Sequence, residues 1–456
     1  MDRDQAFKTI KEKGIEYIGL MFTDALGKFY ALWTSSSEME AEGERGIGAS
    51  GFPVFTEHEN SDIRLKPDMS SFRVLPWMSN GRNIGAVICD IYHGEDQEEF
   101  KEAPRSLLKG ALKKLKKELG DHVGLYGAPE HEFYVLERNE EGELCFHDQG
   151  AYFAPPPVDK SLELRDEICH ALNQMGIKVI KQHHEALRGK HEIDVLYDKA
   201  LEMADKVQFS KFIIRKVTSD HGLIASFMPK PFNVPGGAGW HTHISLYDEK
   251  KEENLFYSDK GKYGFSDLGS QFIAGVLKHA KALAAISNPT VNSYKRLVQG
   301  HGAPVFLCWA KGSRSTLIRI PLSSPKAMRF EYRASDGMCN HYLFFTALIY
   351  AGLDGVSKGL TIPPPEEDIY GLTEQERMTK GIDRLPRSLG DALEELKKDA
   401  VIKNALEPLT PKYLKLRGEE WHEYSYRVHE WERQRYLEES FTRFGEFRES
   451  GIKVLI

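Results

Sequence analysis

Polar side chains recur at every second position inside several apolar, strand-like runs of this 456-residue sequence. Residues two apart lie on the same face of a β-strand, so each pair would present its side chains to one site. A solvated strand face explains any one pair, but several such pairs in apolar runs indicate a shared site. The residues in question are Glu130 and Glu132; His241, His243 and Ser245; Arg329, Glu331 and Arg333; and, around a Gly-containing bend, Glu185 and Glu192.

The residue types in these pairs indicate a divalent-metal site that handles phosphate. Five carboxylates with one or two imidazoles form an oxygen-rich ligand set, which suits Mg²⁺ or Mn²⁺ better than structural zinc. The interleaved arginines would pair with phosphate or carboxylate groups beside the metals. The combination therefore favours two-metal phosphoryl transfer.

One nucleotide-binding pattern in the sequence is misleading. The run 46–51 satisfies G-x-G-x-x-G, but a polar stretch precedes it and Phe52-Pro53 follows it. The strand and the helix that a Rossmann site requires are both missing, so we reject this interpretation. No G-x-x-x-x-G-K-[ST] occurs in the sequence, which excludes a P-loop.

Composition and charge narrow the class of protein. Apolar residues make up 41% and charged residues 28% of the chain, which is typical of a folded globular protein. A formal net charge of −7 gives no electrostatic basis for binding nucleic acid or an anionic membrane. The sequence begins without the apolar region of a signal peptide, and its five cysteines include no CxxC pair. We therefore expect a cytoplasmic protein with neither nucleic-acid nor membrane partners.

The elements that would position the polar pairs form an α+β pattern in two domains. The first hundred residues indicate short strands, with a hairpin around the turn at Asp24–Gly27. An acidic linker then precedes Pro104, which opens an amphipathic helix. The predicted domains are therefore 1–103 and 104–456. The charged tail is predicted to be a helix with one packed stripe, formed by Trp421, Tyr424, Val428 and Trp431.

Several longer runs, in order along the chain, resemble the glutamine synthetase family of the bacterial and archaeal type. They are PEHEF at 129–133, HHE…HEID at 183–194, MPKP at 228–231, GWHTH at 239–243, NPTVNSYKRLV at 288–298, SRSTLIRIP at 313–321 and RFEYR at 329–333. The resemblance implies an N-terminal β-grasp domain, followed by a large catalytic domain with an antiparallel sheet and surrounding helices. It also implies a homo-dodecamer of two stacked hexamers, with active sites between neighbouring subunits.

The resemblance further implies a role for each candidate residue. One Mg²⁺ or Mn²⁺ ion would be held by Glu132, Glu185 and Glu192, and the other by Glu130, His241 and Glu331. The co-substrate ATP would be bound by His243 and Ser245. Catalytic arginines that neutralise the transferring phosphoryl group would be Arg314, Arg319 and Arg329. Glutamate would be bound by Arg296, Arg333 and Gly237.

The reaction implied by the resemblance is the activation of glutamate by ATP. A carboxylate is a poor electrophile, so its phosphorylation creates a γ-glutamyl phosphate that an amine can attack. Metals and arginines offset the negative charge that accumulates. Members that use ammonia supply acidic side chains, because ammonium must bind and then lose a proton.

The sequence departs from the family pattern where those acids would lie. Gly48 replaces the ammonium-binding Asp, and Gly302 replaces the Glu that precedes Ala-Pro in the flap; Gly236 also replaces an Asn beside the substrate amino group. Two glycines on opposite sides of one pocket remove charge and volume, which favours a larger amine. Four apolar residues near the pocket by motif position favour an apolar amine: Phe52, Pro53, Phe55 and Trp240.

We therefore predict an ATP-dependent ligase that forms a γ-glutamyl amide from glutamate and an organic amine. One alternative is a true glutamine synthetase that uses ammonia and takes its acids or base from Glu57, Glu59 or His301. Another is a catalytically silent structural homologue. The complete set of predicted metal ligands argues against the silent homologue, because a scaffold does not need them.

Overall fold

An N-terminal sheet of six strands opens the fold. The structure is a computed structural model that describes residues 2–52, 54–55, 61–94 and 98–437. The strands are β1 (Tyr17–Thr23), β2 (Phe29–Ser35), β3 (Ile47–Ser50), β4 (Asp62–Pro67), β5 (Arg73–Ser79) and β6 (Arg82–His93); the helices are α1 (Arg3–Glu12) and α2 (Ser36–Glu42). The strand order is β2-β1-β6-β4-β3, with β5 also paired to β6. The predicted hairpin is confirmed, since β1 and β2 pair antiparallel around Asp24.

A second, larger sheet carries the predicted polar pairs. Its strands are β7 (Val123–Arg138), β8 (Leu144–Phe146), β9 (Val179–His184), β10 (Lys190–Val195), β11 (Asp198–Lys199), β12 (Ile224–Ser226), β13 (Thr242–Asp248), β14 (Glu253–Asn254), β15 (Trp309–Lys311), β16 (Ile318–Ile320) and β17 (Phe330–Tyr332). The main order is β15-β16-β17-β13-β7-β10-β9. These neighbours pair antiparallel except β15 with β16. The predicted α+β class and antiparallel catalytic sheet are confirmed.

Helices pack against the large sheet and enclose the main core. They are α3 (Pro104–Leu119), α4 (Leu162–Gln174), α5 (Ala200–Asp220), α6 (Asp267–Lys278), α7 (Ala280–Ser287), α8 (Ser293–Arg296), α9 (His341–Ser357), α10 (Glu374–Thr379), α11 (Leu389–Lys398), α12 (Ala400–Ala405), α13 (Thr410–Tyr426) and α14 (Glu430–Tyr436). Helix α3 begins at Pro104 as predicted, and it buries Leu108, Ala111 and Leu115. Within the described ranges, none of these helices is both long and apolar enough to cross a membrane.

The predicted stripe in the tail is confirmed for Trp421 and Tyr424, whose ring centroids lie 6.0 Å apart in α13, and is wrong for Val428 and Trp431. Helix α13 ends at Tyr426 and α14 begins at Glu430, so the helical period is broken between them. Val428 is 66% exposed and Trp431 is 61% exposed, whereas Trp421 packs against the main core. Hydrophobic periodicity alone did not reveal the interruption between the two helices.

One buried cation joins the two sheets. Arg105, near the start of α3, lies 2.6 Å from Asp68 and 2.6 Å from Asp90, both from the N-terminal region. Its Nη2 also lies 2.9 Å from Asp205 Oδ2 in α5, which packs against the large sheet. Because the arginine side chain is 6% exposed, removal of its charge would leave the carboxylates poorly compensated.

The first prediction concerns this junction. Arg105→Met should lower the free energy of unfolding by about 3–5 kcal/mol, as expected when one partner of a buried ion pair is removed. Arg82→Met is the matched control, since Arg82 pairs with Glu16 at 2.6 Å but half of its side chain is exposed, and it should cost less than about 1 kcal/mol. Urea unfolding followed by circular dichroism measures both. Similar small losses in the two variants would contradict the role of Arg105.

Candidate active site

The predicted polar pairs meet on one face of the large sheet because neighbouring strands hold them in register. Glu192 of β10 lies opposite Glu132 of β7. On the other side of β7, His243 of β13 lies opposite Glu331 of β17. The backbone N–H of Glu130 donates to the carbonyl of His241 at 2.8 Å, which ties β7 to the start of β13. The period-2 prediction of same-face pairs therefore agrees with the strand register.

These side chains line a cavity of about 1160 Å³. Thirteen of the fourteen predicted site residues line it, and Ser245 is the exception. Ser245 instead lines an adjoining cavity of about 700 Å³, whose walls include Ile180, Leu196 and Met328. The two cavities share Glu130, His243 and Arg329, so a ligand long enough to span both would pass the acidic groups.

Glu130, Glu132 and His241 form one of the acidic groups in the cavity that could hold a metal ion. Each offers a ligand atom within 4.8 Å of the others. His241 Nδ1 lies 2.8 Å from Glu130 Oε2 and 3.7 Å from Glu132 Oε1. Burial acts to raise the pKa of Glu130, but hydrogen bonds from His241 and His243 outweigh it and hold the pKa well below its usual range. Two ionised carboxylates and an imidazole fit one Mg²⁺ or Mn²⁺ ion.

Glu331 is held mainly by arginines. Its side chain is 1% exposed, and its Oε2 lies 2.7 Å from Arg319 Nη1. Its Oε1 contacts Arg333 Nη1 and lies 3.7 Å from His241 Nδ1. Burial acts to raise the pKa of Glu331, but the charge of Arg333 opposes it and the pKa is lowered. The carboxylate therefore stays charged and aligns two arginines with the cavity.

Three further predicted arginines also line the cavity. Arg329 Nε donates to His243 Nδ1 at 3.2 Å, and Arg314 hydrogen-bonds to Tyr152, which contributes to a raised pKa of Arg314. Arg296 is buried and donates to the carbonyl of Ala334 at 2.6 Å. These guanidinium groups give the cavity a positive side that can receive phosphate and carboxylate groups.

Glycines allow Arg296 to approach the acidic group. A Cβ on Gly239 would lie 2.7 Å from Arg296 Nη2 and 2.7 Å from His241 Nε2. A Cβ on Gly237 would lie 2.5 Å from the carbonyl of Pro229 and 3.0 Å from Arg296 Cγ. The backbone N–H of Gly239 also donates to Glu132 Oε2 at 2.6 Å. Side chains at these positions would displace the arginine.

Glu185 and Glu192 face protein cations. Lys190 Nζ lies 2.6 Å from Glu132 Oε2 and 3.4 Å from Glu185 Oε2. Glu192 Oε1 lies 3.4 Å from Lys181 Nζ and also 3.2 Å from His183 Nε2. Burial acts to raise the pKa of Glu132, but the charges of Lys190 and His241 lower it to about 2.

Lys190 and Asp194 were missed by the sequence analysis although both line the cavity. They lie two residues before and after Glu192 on β10, so the period-2 rule that selected the other pairs would have included them. Burial, with the charges of Glu192 and Glu130, raises the pKa of Asp194 to about 7. Burial, together with the placement of Asp194 beside two other acids, explains the raised pKa.

The residues predicted to favour an apolar amine do not form an apolar wall of this cavity. Trp240 is fully buried and packs on His131 and Phe227. Phe55 belongs to the core of the N-terminal sheet, and Phe52 is exposed and does not line the cavity. The prediction is wrong for Trp240 and Phe55, whose side chains are buried in the protein cores. For Phe52, which lies four residues after Gly48, it depends on a neighbouring subunit. Pro53, Glu57 and Glu59 lie outside the described residues.

Gly48 and Gly302, the glycines that stand where the family pattern has acids, lie far from each other in the sequence and in different sheets or loops of one chain. Gly302 lines the cavity together with Gly300 and His301. Gly48 lies in β3 of the N-terminal sheet and does not line this cavity. The expectation that both glycines face one pocket therefore depends on a neighbouring subunit.

Comparisons with known proteins agree over nearly the whole chain. The family described as "Glutamine synthetase, catalytic domain" matches residues 101–436, and "Glutamine synthetase, beta-Grasp domain" matches residues 14–94. Glutamine synthetase of Thermotoga maritima is 43% identical over 94% of this chain and 98% of its own. Glutamine synthetase of Methanocaldococcus jannaschii is 40% identical over 96% of this chain and 98% of its own.

Solved structures give the same result. The structure titled "GmaS/ADP complex-Conformation 1" superposes with a TM-score of 0.83 at 30% identity, and it covers 94% of this chain and 99% of its own. Plasmodium falciparum glutamine synthetase superposes with a TM-score of 0.83 at 26% identity, over 96% of this chain and 99% of its own. Members of this family use ATP with Mg²⁺ or Mn²⁺, which agrees with the donor set around Glu130 and His241. The chain belongs to the glutamine synthetase family and is an ATP-dependent, C–N bond-forming ligase of that family.

Proposed function

We propose that this ligase joins the γ-carboxylate of glutamate to an organic amine rather than to ammonia, through a γ-glutamyl phosphate. The observation that carries the proposal is Gly302, which lines the same cavity as the acidic group and the arginines. Its φ is +81°, and an added Cβ would meet no heavy atom within 4 Å. The cavity thus has open space, and no side chain from position 302, where a carboxylate would favour ammonium. A substituent on the attacking nitrogen would occupy that space.

Separate groups of cavity residues would bind glutamate, ATP and the metal ion. We propose that glutamate binds through Arg296 and Arg333 near Gly237, and that Arg314, Arg319 and Arg329 neutralise the transferring phosphoryl group. ATP would lie across the two cavities, with its base between the apolar walls of the smaller one and its phosphates beside His243. A bound divalent ion would act as a Lewis acid on the phosphate oxygens. Glu130, Glu132 and His241 would hold this ion.

The second candidate function is glutamine synthesis from ammonia. It is favoured by the relatives at 40–43% identity, which are named glutamine synthetases. His301 lines the cavity beside Gly302, so it offers one basic group near the open space. The two candidates differ only in the nitrogen donor, and a single assay separates them.

The experiment is a product assay with ATP, Mg²⁺ and glutamate against a panel of nitrogen donors. The panel holds ammonium, short alkylamines, ethanolamine, a polyamine and an aromatic amine, and mass spectrometry identifies the amide. We expect phosphate release and a γ-glutamyl amide with at least one organic amine, at a kcat/KM above that for ammonium. Glutamine formed from ammonium with every organic amine rejected would favour the second candidate instead.

A variant at Gly302 tests the role of the open space. Gly302→Glu should raise the kcat/KM for ammonium and lower it for bulky amines, by about tenfold or more in their ratio. A carboxylate about 4 Å from an ammonium ion gains about 4 kcal/mol at an effective dielectric of about 20, before desolvation is subtracted. Since the positive φ strains any side chain, Gly302→Ala controls for strain. Equal ratios in the two variants would contradict the charge argument.

Gly48 tests the proposed assembly, which is a dodecamer of two stacked hexamers. Gly48→Asp should shift the same ratio towards ammonium only if a neighbouring subunit brings β3 to the cavity; Gly48→Asn is the uncharged control. Sedimentation of the same preparations measures the assembly. An active monomer of 51.9 kDa, with no effect of Gly48→Asp, would contradict an active site shared between subunits.

A further prediction concerns Glu331. Glu331→Ala should reduce ATP turnover by at least about a hundredfold, because Arg319 and Arg333 lose the carboxylate that aligns them and the cavity loses a buried charge. Glu249→Ala is the control, since Glu249 pairs with Lys199 and does not line the cavity. Phosphate release measures both. Normal turnover in Glu331→Ala would remove this residue from the proposed site.

A further inference from the structure

Lys190 places a buried ammonium group inside the acidic cavity. It is the first residue of β10, and its side chain is 7% exposed. Its Nζ lies 2.6 Å from Glu132 Oε2 and 3.4 Å from Glu185 Oε2, and it donates to the carbonyl of Gly237 at 3.1 Å. Two carboxylates and a carbonyl therefore surround the ammonium.

The oxygens that contact Lys190 belong to the set predicted for one divalent ion. Glu132 Oε2 also accepts from the backbone N–H of Gly239 at 2.6 Å, and Glu185 Oε2 accepts from the N–H of Ala186 at 2.8 Å. These oxygens already have donors from the chain. A divalent ion between Glu132 and Glu185 would meet a fixed positive charge at close range, and like charges repel strongly in a buried site.

The other acids of this predicted set also face lysines: Glu185 and Glu192, which form a candidate group with His183, each lie 3.4 Å from a lysine, Lys190 and Lys181 respectively. Among the described residues, no ion pair joins a lysine to Glu130. Glu132 turns its other oxygen, Oε1, towards His241 Nδ1 at 3.7 Å, and Glu130 Oε2 lies 2.8 Å from the same nitrogen. These three residues offer ligand atoms within 4.8 Å of one another. Glu132 thus contacts the Lys190 ammonium with one oxygen and faces His241 and Glu130 with the other. This arrangement suits one metal ion beside one ammonium group of the chain.

We propose that Lys190 is a built-in cation that takes the place of one of the two divalent ions, so that each chain binds a single ion beside Glu130, Glu132 and His241. The inference rests on the proposed metal site but not on the identity of the amine. A tethered ammonium supplies one positive charge at all metal concentrations. The enzyme would then require Mg²⁺ or Mn²⁺ for two purposes only: to fill the single protein site and to bind the phosphates of the nucleotide.

The test counts and locates Mn²⁺ in the intact assembly without nucleotide, glutamate or amine. Titration calorimetry and the electron paramagnetic resonance of free Mn²⁺ give the count per chain, and anomalous diffraction gives the positions. We expect one ion in the wild type and in Lys190→Arg, and two in Lys190→Gln. Lys206→Gln is the matched control, since Lys206 pairs with Asp198 outside the cavity, and it should keep one ion.

Two ions of similar affinity in the wild type, or an anomalous peak between Glu132 and Glu185, would overturn the proposal. So would a count of one in Lys190→Gln that still assembles and binds ATP. If Lys190→Gln does not assemble, the Mn²⁺ anomalous-difference map of the wild type provides the test. A peak beside Glu130 and His241 alone supports the proposal. Since no amine is present, failure here leaves the choice of nitrogen donor to the product assay.

Discussion

Compensation of buried negative charge is the constraint on which the active site depends. Carboxylates from β7, β10 and β17 lie on one sheet face, and three of them are nearly buried: Glu132, Glu192 and Glu331. Carboxylates at such short range repel one another, so the arrangement is stable only with cations among them. Lys190 and Arg333 supply that charge from the chain itself. Their charges lower the pKa values of Glu132 and Glu331 and so keep both carboxylates ionised despite burial.

Close packing around the acids follows from the same constraint. Arg296 can reach the site only because Gly237 and Gly239 lack side chains. Gly302 has a different role, since open space and not a crowded neighbour surrounds it. The contrast separates two glycines that the packing of Arg296 requires from the one on which the proposed specificity rests. The proposed specificity does not rest on Trp240 or Phe55, whose side chains lie in the protein cores.

Local patterns predicted particular elements of the fold and the clustering of the polar pairs, whereas the antiparallel catalytic sheet and the roles of the site residues were implied by the family resemblance. The period-2 pairs, the hairpin at Asp24 and the start of α3 at Pro104 depend on short-range geometry, and the structure contains all three. Trp240 was misplaced because motif proximity was used where strand alternation would have placed it in the core. The period-2 rule would have placed Lys190 on the face of Glu192, but its contacts with Glu132 and Glu185 also depend on the register of β10 against β7 and on the bend at 185–189. The break between α13 and α14 likewise interrupts a period that continues in the sequence.

The measurement that tests the central claim most directly follows oxygen from glutamate to phosphate. Glutamate labelled with ¹⁸O in its γ-carboxylate is incubated with ATP, Mg²⁺ and an organic amine, and the released phosphate is analysed by mass spectrometry. Activation through γ-glutamyl phosphate predicts one ¹⁸O in each phosphate, in equal amount to the γ-glutamyl amide formed. Unlabelled phosphate, or labelled phosphate that forms only when ammonium replaces the amine, would contradict the account.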